Sequence, residues 1–287
     1  MTGGPFFPVD AVPAPGPFLL DGPEGRHASS VRRLHVGELL VLADGRGDTA
    51  DAVVREVGRG ELTVDVGPAA HLEPPSLRVT IVQALPKGDR GELAVDLATE
   101  AGVDEIVPWT ASRCVTRWTG DRVDHGLARW RSAAREAAKQ SRRPYVPQVR
   151  EPAATDAVAA LVRGAAAALI LHEAARVSLT GPTLPDSGDL VLVVGPEGGI
   201  TDDELAQFRA AGAQAVRLGP EVLRASTAGA VALGALGVLT GRWAERQGGV
   251  PEWPGGVPEW PGGGPDWPDG GLGSPGGGQE SPGGGQE

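Results

Sequence analysis

Cysteine is almost missing from this 287-residue chain. The single thiol, Cys114, leaves no partner for an internal disulfide and rules out a cysteine-built zinc site, and the five histidines are scattered without metal-ligand spacing. Metal and redox chemistry are therefore not expected. Long apolar runs are also lacking: none reaches membrane-spanning length, and the proline-broken start MTGGPFFPVDAVPAPGPFLL has no basic region of the kind that opens a signal peptide. These features predict a soluble cytoplasmic protein without a membrane partner.

Positive charge is lacking beyond Gln247, where Glu252, Glu259, Asp266, Asp269, Glu280 and Glu287 supply six negative charges. That tail holds more than half of the net charge of −11, so the acidity argues less strongly against a nucleic-acid partner than its size suggests. Between Arg113 and Arg150 ten basic residues face three acidic ones, a local charge of +7. From about Gly248 the chain repeats VPEWPGG-like and SPGGGQE units, a composition unable to form a packed core, and a disordered tail over 248–287 is predicted.

Two patterns divide the remainder. From about Phe18 to Val66, ELLVLADG, TADAVVREVG and ELTVDVG alternate with period two between glycine turns, as a small β-sheet or barrel does. A Pro/Gly-punctuated linker follows, and then strands alternate with helices: LRVTIVQAL, an amphipathic helix to Gly102, EIVPW, an Arg-rich helix from about Gly126 to Arg142, AALILH, LVLVVG, DDELAQFRAAG, AVRLG and an apolar helix from about Ala228 to Trp243. This order predicts an α/β fold with a parallel sheet whose ligands bind at the carboxyl ends of strands. The expected division is 1–72, 73–247 and 248–287.

The leading site candidate is LVLVVGPEGGITDDEL, a strand running through Gly195, Pro196, Glu197, Gly198 and Gly199 into a helix. Thr201 and Glu204 have the spacing of a capping box, and Asp202, Asp203 and Glu204 crowd the first turn with carboxylates where a phosphate would otherwise sit. A phosphate-free ligand with a cationic centre, such as the sulfonium of S-adenosylmethionine, suits this turn better than NAD or ATP. An ordinary strand-to-helix turn is the plainer alternative. A second strand–loop–helix runs from Ala215 through Gly219 to a helix that Ser226 or Thr227 could cap, and its Gly229, Gly234 and Gly237 form a small-residue face suited to close packing against a helix or a second subunit. His172, ending the AALIL strand, is assigned a pocket-lining place. The turn GxGxxG is missing after the first strand of the α/β region, which disfavours a Rossmann-type nucleotide enzyme.

Four ordered segments, QALPKGDRGELAVDLATEAGVDEIVPWTASRCVTRW, SAAREAAKQSRRPYVPQV, VGPEGGITDDEL and LGPEVLRASTA, together resemble the 16S ribosomal RNA (uracil-N3) methyltransferase family of the SPOUT superfamily, over about Arg26 to Gly241. The resemblance implies a PUA-like N-terminal RNA-binding domain, a trefoil-knotted α/β domain, pairing of two subunits, and 16S ribosomal RNA or the small ribosomal subunit as partner. It implies S-adenosylmethionine held by Leu171 and His172, by Gly195 to Gly199, by Leu218 and Gly219, and by Leu223, Arg224, Thr227 and Ala228. Two positions depart from the family pattern: Pro5 stands where an arginine usually precedes the aromatic pair Phe6-Phe7, and Ser226 stands where a glutamate is common, so no carboxylate base is available there. Arg224 is the expected stabiliser of charge developing on the uracil. The expected RNA contacts are Arg32, Arg33, Arg46, Lys87, Arg90, Arg113, Arg142 and Arg143. A SPOUT enzyme for another RNA position and a non-catalytic assembly factor remain as alternatives.

Overall fold

The computed structural model describes residues 4–244, so the expected repeat tail lies outside the described residues. Two sheets organise them. The first uses β1 (Phe6–Pro8), β2 (Gly16–Leu20), β3 (Leu39–Ala43), β4 (Asp48–Val57), β5 (Leu62–Val66) and β6 (Ala70–His71), in the order β1-β3-β4-β5-β2 with β6 also on β4. In β5, Leu62, Val64 and Val66 turn inward while Thr63 and Asp65 turn outward, the two-residue period read from the sequence. A register shift between Val54 and Glu56 interrupts the β4–β5 ladder. Inside lie Phe7, Leu20, Leu40, Leu42, Val54 and Leu62.

The expectation of strands throughout 18–66 fails at DGPEGRHASSV, which forms helix α1 (Gly22–Arg26) and a π turn, His27–Val31. This segment has no alternation, and Pro23 pre-sets a helical start. A Cβ at buried Gly25 would lie 2.4 Å from the Leu20 carbonyl, so only glycine lets α1 fold back so closely on β2.

The second sheet contains β7 (Leu77–Ala84), β8 (Glu105–Trp109), β9 (Gln148–Val149), β10 (Ala167–Leu171), β11 (Gly188–Val194) and β12 (Gln214–Val216). Its order is β12-β10-β11-β7-β8-β9, and every pairing is parallel. Central strands are apolar almost throughout because both faces are covered. Helices α2 (Arg90–Glu100), α3 (Asp121–Gln140), α4 (Thr155–Gly164), α5 (Asp202–Ala210) and α6 (Ala225–Leu239) supply the cover. On one face Gly229 of α6 sits against Ile81 and Val194. Trp109, in register with Ala84 and therefore turned to the opposite face, meets Phe208 of α5 edge-on with 5.2 Å between ring centroids.

Several boundaries shift. Helix α3 begins at Asp121, five residues before the expected start, and α4 was not singled out in the sequence. Helix α6 begins at Ala225 with Arg224 as its N-cap residue. Ser226 and Thr227 thus fall inside the first turn and do not cap it; the Thr227 hydroxyl bonds back to the Arg224 carbonyl at 3.2 Å. Strand β12 ends at Val216 because Arg217 bonds a different segment: its N–H donates to Val177 O at 2.8 Å, and its carbonyl accepts from Leu179 N at 3.0 Å. The Val216 carbonyl faces β10, where it accepts from His172 N, so Arg217 faces the other way. The β10–β11 connection, 172–187, therefore runs along the outer edge of β12, and the chain after Arg217 lays α6 on β7 and β11. This topology is the SPOUT-type arrangement that the resemblance implies.

At the opposite end of the sheet Asp104 gathers Val79 N (2.7 Å), the Arg242 guanidinium (2.9 Å) and, at 4.0 Å, that of Arg143. Arg242 also donates to Leu77 O and Gly102 O, tying the end of α6 to β7 and to the turn before β8. Replacing Asp104 with Asn would leave two mostly buried guanidinium groups without their counter-charge. Asp104→Asn is expected to lower stability by about 2–4 kcal/mol, read as a reduced urea midpoint.

Candidate functional site

Parallel pairing collects the strand exits along one edge. Leu171 is in register with Val194 on one side and with Val216 on the other. His172, Gly195 and Arg217 therefore leave the sheet in a row, spaced by about 5 Å per strand. The start of α6 closes the group, since a Cβ on Gly229 would lie 3.6 Å from Val194 Cγ2. The two glycine-bearing segments singled out in the sequence, 195–199 and 218–228, thus flank the same strand end.

The first turn is tight. Gly199 N–H donates to Pro196 O at 2.9 Å, and Gly199 has φ of +76°, which favours glycine. A side chain at Gly195 would reach within 2.7 Å of Ile200 Cγ1, and one at Gly198 within 3.1 Å of the Arg113 carbonyl. The Arg113 guanidinium donates to Gly198 O at 3.2 Å, and the Glu197 carboxylate accepts from Lys87 N at 3.3 Å. The turn is thereby held between the loops that follow β8 and β7.

Glu204 sets the frame behind it. The capping box forms as expected, with Thr201 Oγ1 accepting from Glu204 N at 3.2 Å and Glu204 Oε2 accepting from Thr201 N at 3.0 Å. The same carboxylate, buried, accepts from Ser112 N at 2.8 Å, a bond that ties α5 to the 111–119 loop. Burial alone would raise its pKa, but the bonds from Ser112 and Thr201 outweigh this and hold it below its ordinary value. Burial pushes the Cys114 thiol above its ordinary value, which keeps this cysteine protonated and a poor nucleophile.

Of the second segment, Leu218 and Gly219 are half-buried, Leu223 and Arg224 are exposed, and Thr227 and Ala228 are half-buried on α6. The Arg224 carbonyl accepts from Thr227 N and Ala228 N, while its guanidinium has no partner among the described residues. His172 Nδ1 accepts from Ala174 N at 3.2 Å, which orients the ring. Sequence reasoning missed Gln83, a buried amide at the carboxyl end of β7 whose Nε2 donates to Ala84 O and whose Oε1 faces Gly229. Its signal was one polar residue ending an otherwise apolar strand.

These surroundings suit an adenosyl group better than a phosphate. Bare glycine backbone and the half-exposed Leu171, Leu218 and Leu223 offer amide edges and apolar contact, while Asp202 and Asp203 stand exposed on the first turn of α5 and Thr201 already occupies its Glu204 N–H. Among the described residues no cluster of His, Cys, Asp or Glu could hold a metal ion.

The expected RNA-contact residues have different local surroundings. Lys87 and Arg113 adjoin the Gly195–Gly199 turn, with Arg90 at the start of α2. Arg46, bonded to Asp44 and to the Asp10 carbonyl, lies with Arg143 along a separate cleft of about 780 Å³ between the first sheet and α3. Arg33 lies beside Leu34, His35 and Val57, and both Arg33 and Arg142 have positive φ. Arg143 donates to Thr99 O at 2.7 Å and reaches Asp104 at 4.0 Å, so it also has a structural role.

Residues 73–237 match the family described as RNA methyltransferase domain, and residues 20–67 match the RNA methyltransferase PUA domain. A Mycobacterium bovis relative, ribosomal RNA small subunit methyltransferase E, is 52% identical over 242 residues, spanning 83% of this chain and 92% of the relative. The chain belongs to this methyltransferase E family. The Bacillus subtilis member is 28% identical over 78% of this chain and 90% of its own. Among solved structures, the Neisseria gonorrhoeae member bound to S-adenosyl methionine aligns with TM-score 0.72 and 29% identity over 82% of this chain and 98% of that one. A Legionella pneumophila methyltransferase in complex with the same cofactor aligns with TM-score 0.70 and 28% identity over 83% and 98%. Family membership accounts for the PUA-like first sheet and the SPOUT-type second sheet.

Because the Glu204 pKa is lowered in the folded chain, its stabilising contribution is complete above the ordinary carboxylate range and is lost as pH falls through the lowered value. Glu204→Gln should be less stable than wild type at neutral pH and should lose less on acidification to about pH 3, measured by urea unfolding at both pH values.

Proposed function

We propose that this chain transfers the methyl group of S-adenosylmethionine to N3 of a uridine in 16S ribosomal RNA. The observation that carries the reading is the row of strand exits at Leu171, Val194 and Val216, which brings two glycine-bearing turns and the exposed Arg224 to one edge of a SPOUT-type sheet. His172, the 195–199 turn, Leu218, Gly219 and the start of α6 would hold the cofactor, whose sulfonium supplies an electrophilic methyl group.

The chain's own residues then position the base and stabilise charge. Uracil N3 becomes a nucleophile when its imide proton leaves, because the lone pair is otherwise shared with two carbonyls. The pocket chiefly fixes the approach of N3 in line with the methyl group. Arg224, unpaired and at the mouth of the site, stabilises the negative charge that spreads onto the uracil oxygens. Ser226 is buried in the first turn of α6, so position 226 offers no general base and proton loss to solvent is the simplest route.

The enzyme works as a homodimer in this reading. Val222, Val231 and Val238 are each at least half exposed, an apolar strip along and just before α6 that a second subunit would cover. No helix among the described residues is long and apolar enough to cross a membrane. The expected site of action is the cytoplasm, where small subunits mature.

Arg224→Ala is expected to slow single-turnover methylation about a hundredfold at saturating cofactor. An unchanged rate removes Arg224 from the chemistry. Mass spectrometry of 16S ribosomal RNA from a deletion strain should show one uridine lacking its N3 methyl group; loss of a different mark would favour a SPOUT enzyme of other target. Absence of S-adenosylmethionine binding on titration would favour an assembly factor. Val231→Glu combined with Val238→Glu should shift the sedimentation coefficient to that of a monomer.

A further inference from the structure

A second pocket of about 400 Å³ lies beside the proposed catalytic edge, between the 111–119 loop and the start of α3. Its floor is Trp118. That indole lies against the helix because residue 126 is glycine: a Cβ there would come within 2.5 Å of the ring. Edge-on packing against Trp130, with centroids 5.2 Å apart, fixes its orientation. Yet Trp118 remains partly exposed, and its Nε1–H has no partner among the described residues.

Arg122, His125 and Arg129 surround the ring. Positions 122, 125 and 129 share one helical stripe, so the three side chains stand on the same side of α3. Arg129 is paired with Glu92 at 3.1 Å, whereas the exposed Arg122 has no counter-charge among the described residues. The acidic residues of that turn, Asp121 and Asp124, are exposed one and two positions from Arg122, where neighbours do not share a face.

The pocket shares the 111–119 loop with the 195–199 turn. Arg113 bonds Gly198 O, Arg117 donates to the carbonyls of Ala111 and Ser112, and Thr116 Oγ1 donates to Pro86 O at 2.7 Å. One loop thus carries Arg113, which touches the turn, and Trp118, which lines the pocket.

We infer that Trp118 and Arg122 form a subsite for a single-stranded nucleotide flanking the target uridine, with its base on the indole and its phosphate at Arg122. A partly exposed aromatic face beside a guanidinium that has no counter-charge among the described residues is the chemistry by which proteins bind unstacked RNA, since every base has a π-face and every linkage a charge. A protein partner with an acidic surface would satisfy Arg122 but would leave the aromatic floor unused. The inference rests on the methyltransferase reading, because it uses the adjacency of the two pockets.

The test compares wild type, Arg122→Glu, Trp118→Ala and Trp118→Phe in the full chain, using a 16S ribosomal RNA transcript and small ribosomal subunits as probes. Arg122→Glu and Trp118→Ala should each weaken RNA binding and raise KM for RNA about tenfold, with S-adenosylmethionine affinity unchanged. Trp118→Phe should recover most of the loss, and Arg122→Glu should reduce the slope of log affinity against log salt by about one. Arg122 is exposed, so its variant remains informative if Trp118→Ala fails to fold. RNA affinity and KM unchanged in Arg122→Glu and Trp118→Phe alike, with Trp118→Ala either unchanged or unfolded, would overturn the subsite while leaving the methyltransferase reading intact. A wild type that binds no cofactor and incorporates no methyl group would overturn that reading, and the RNA-binding comparison would still decide the subsite.

Discussion

The parallel register of β10 between β11 and β12 is the constraint on which the site depends. Leu171 aligns simultaneously with Val194 and Val216, so three connections separated by long stretches of sequence emerge within a few ångströms of each other. Antiparallel pairing at either junction would send one of them to the opposite edge. The hydrophobic strands secure this register by burial on both faces, and Glu204 then joins the neck of α5 to the loop after β8, so the shape of the glycine turn is inherited from the core.

Charge follows a similar division between structure and surface. The stretch from Arg113 to Arg150 carries a local charge of +7, but much of it is occupied within the protein. Arg131 reaches Val149 O and Glu151, Arg143 reaches Thr99 O and Asp104, and Arg150 pairs with Glu105. What faces solvent without a counter-charge among the described residues is a smaller set that includes Arg113 and Arg122. A count of basic residues therefore overstates the RNA footprint, and only the fold shows which of them are available.

The strands and most helices of the second sheet were legible because their signals are local. Apolar runs such as LRVTIVQAL, the capping box of Thr201 and Glu204, and the period-two pattern of β5 need no tertiary knowledge. Elements set by distant contacts were not legible. Strand β12 stops at Val216 because the 172–187 connection captures Arg217, and the turn at 22–31 follows from glycine packing on β2. The glycine turns of the candidate site were visible as sequence, whereas Gln83 and the Trp118 pocket depend on what packs beside them. The threading of the second sheet came from family resemblance, since no periodicity encodes it.

That threading sets a schedule for biogenesis. The pairing of Arg217 with the 172–187 connection and the later ion pair of Arg242 with Asp104 require nearly all of the described residues to have been synthesised first. A nascent chain that has emerged only as far as Gly199 holds the glycine turn but lacks β12 and α6, the wall opposite. A product that stops before α6 therefore lacks half of the residues that border the candidate site.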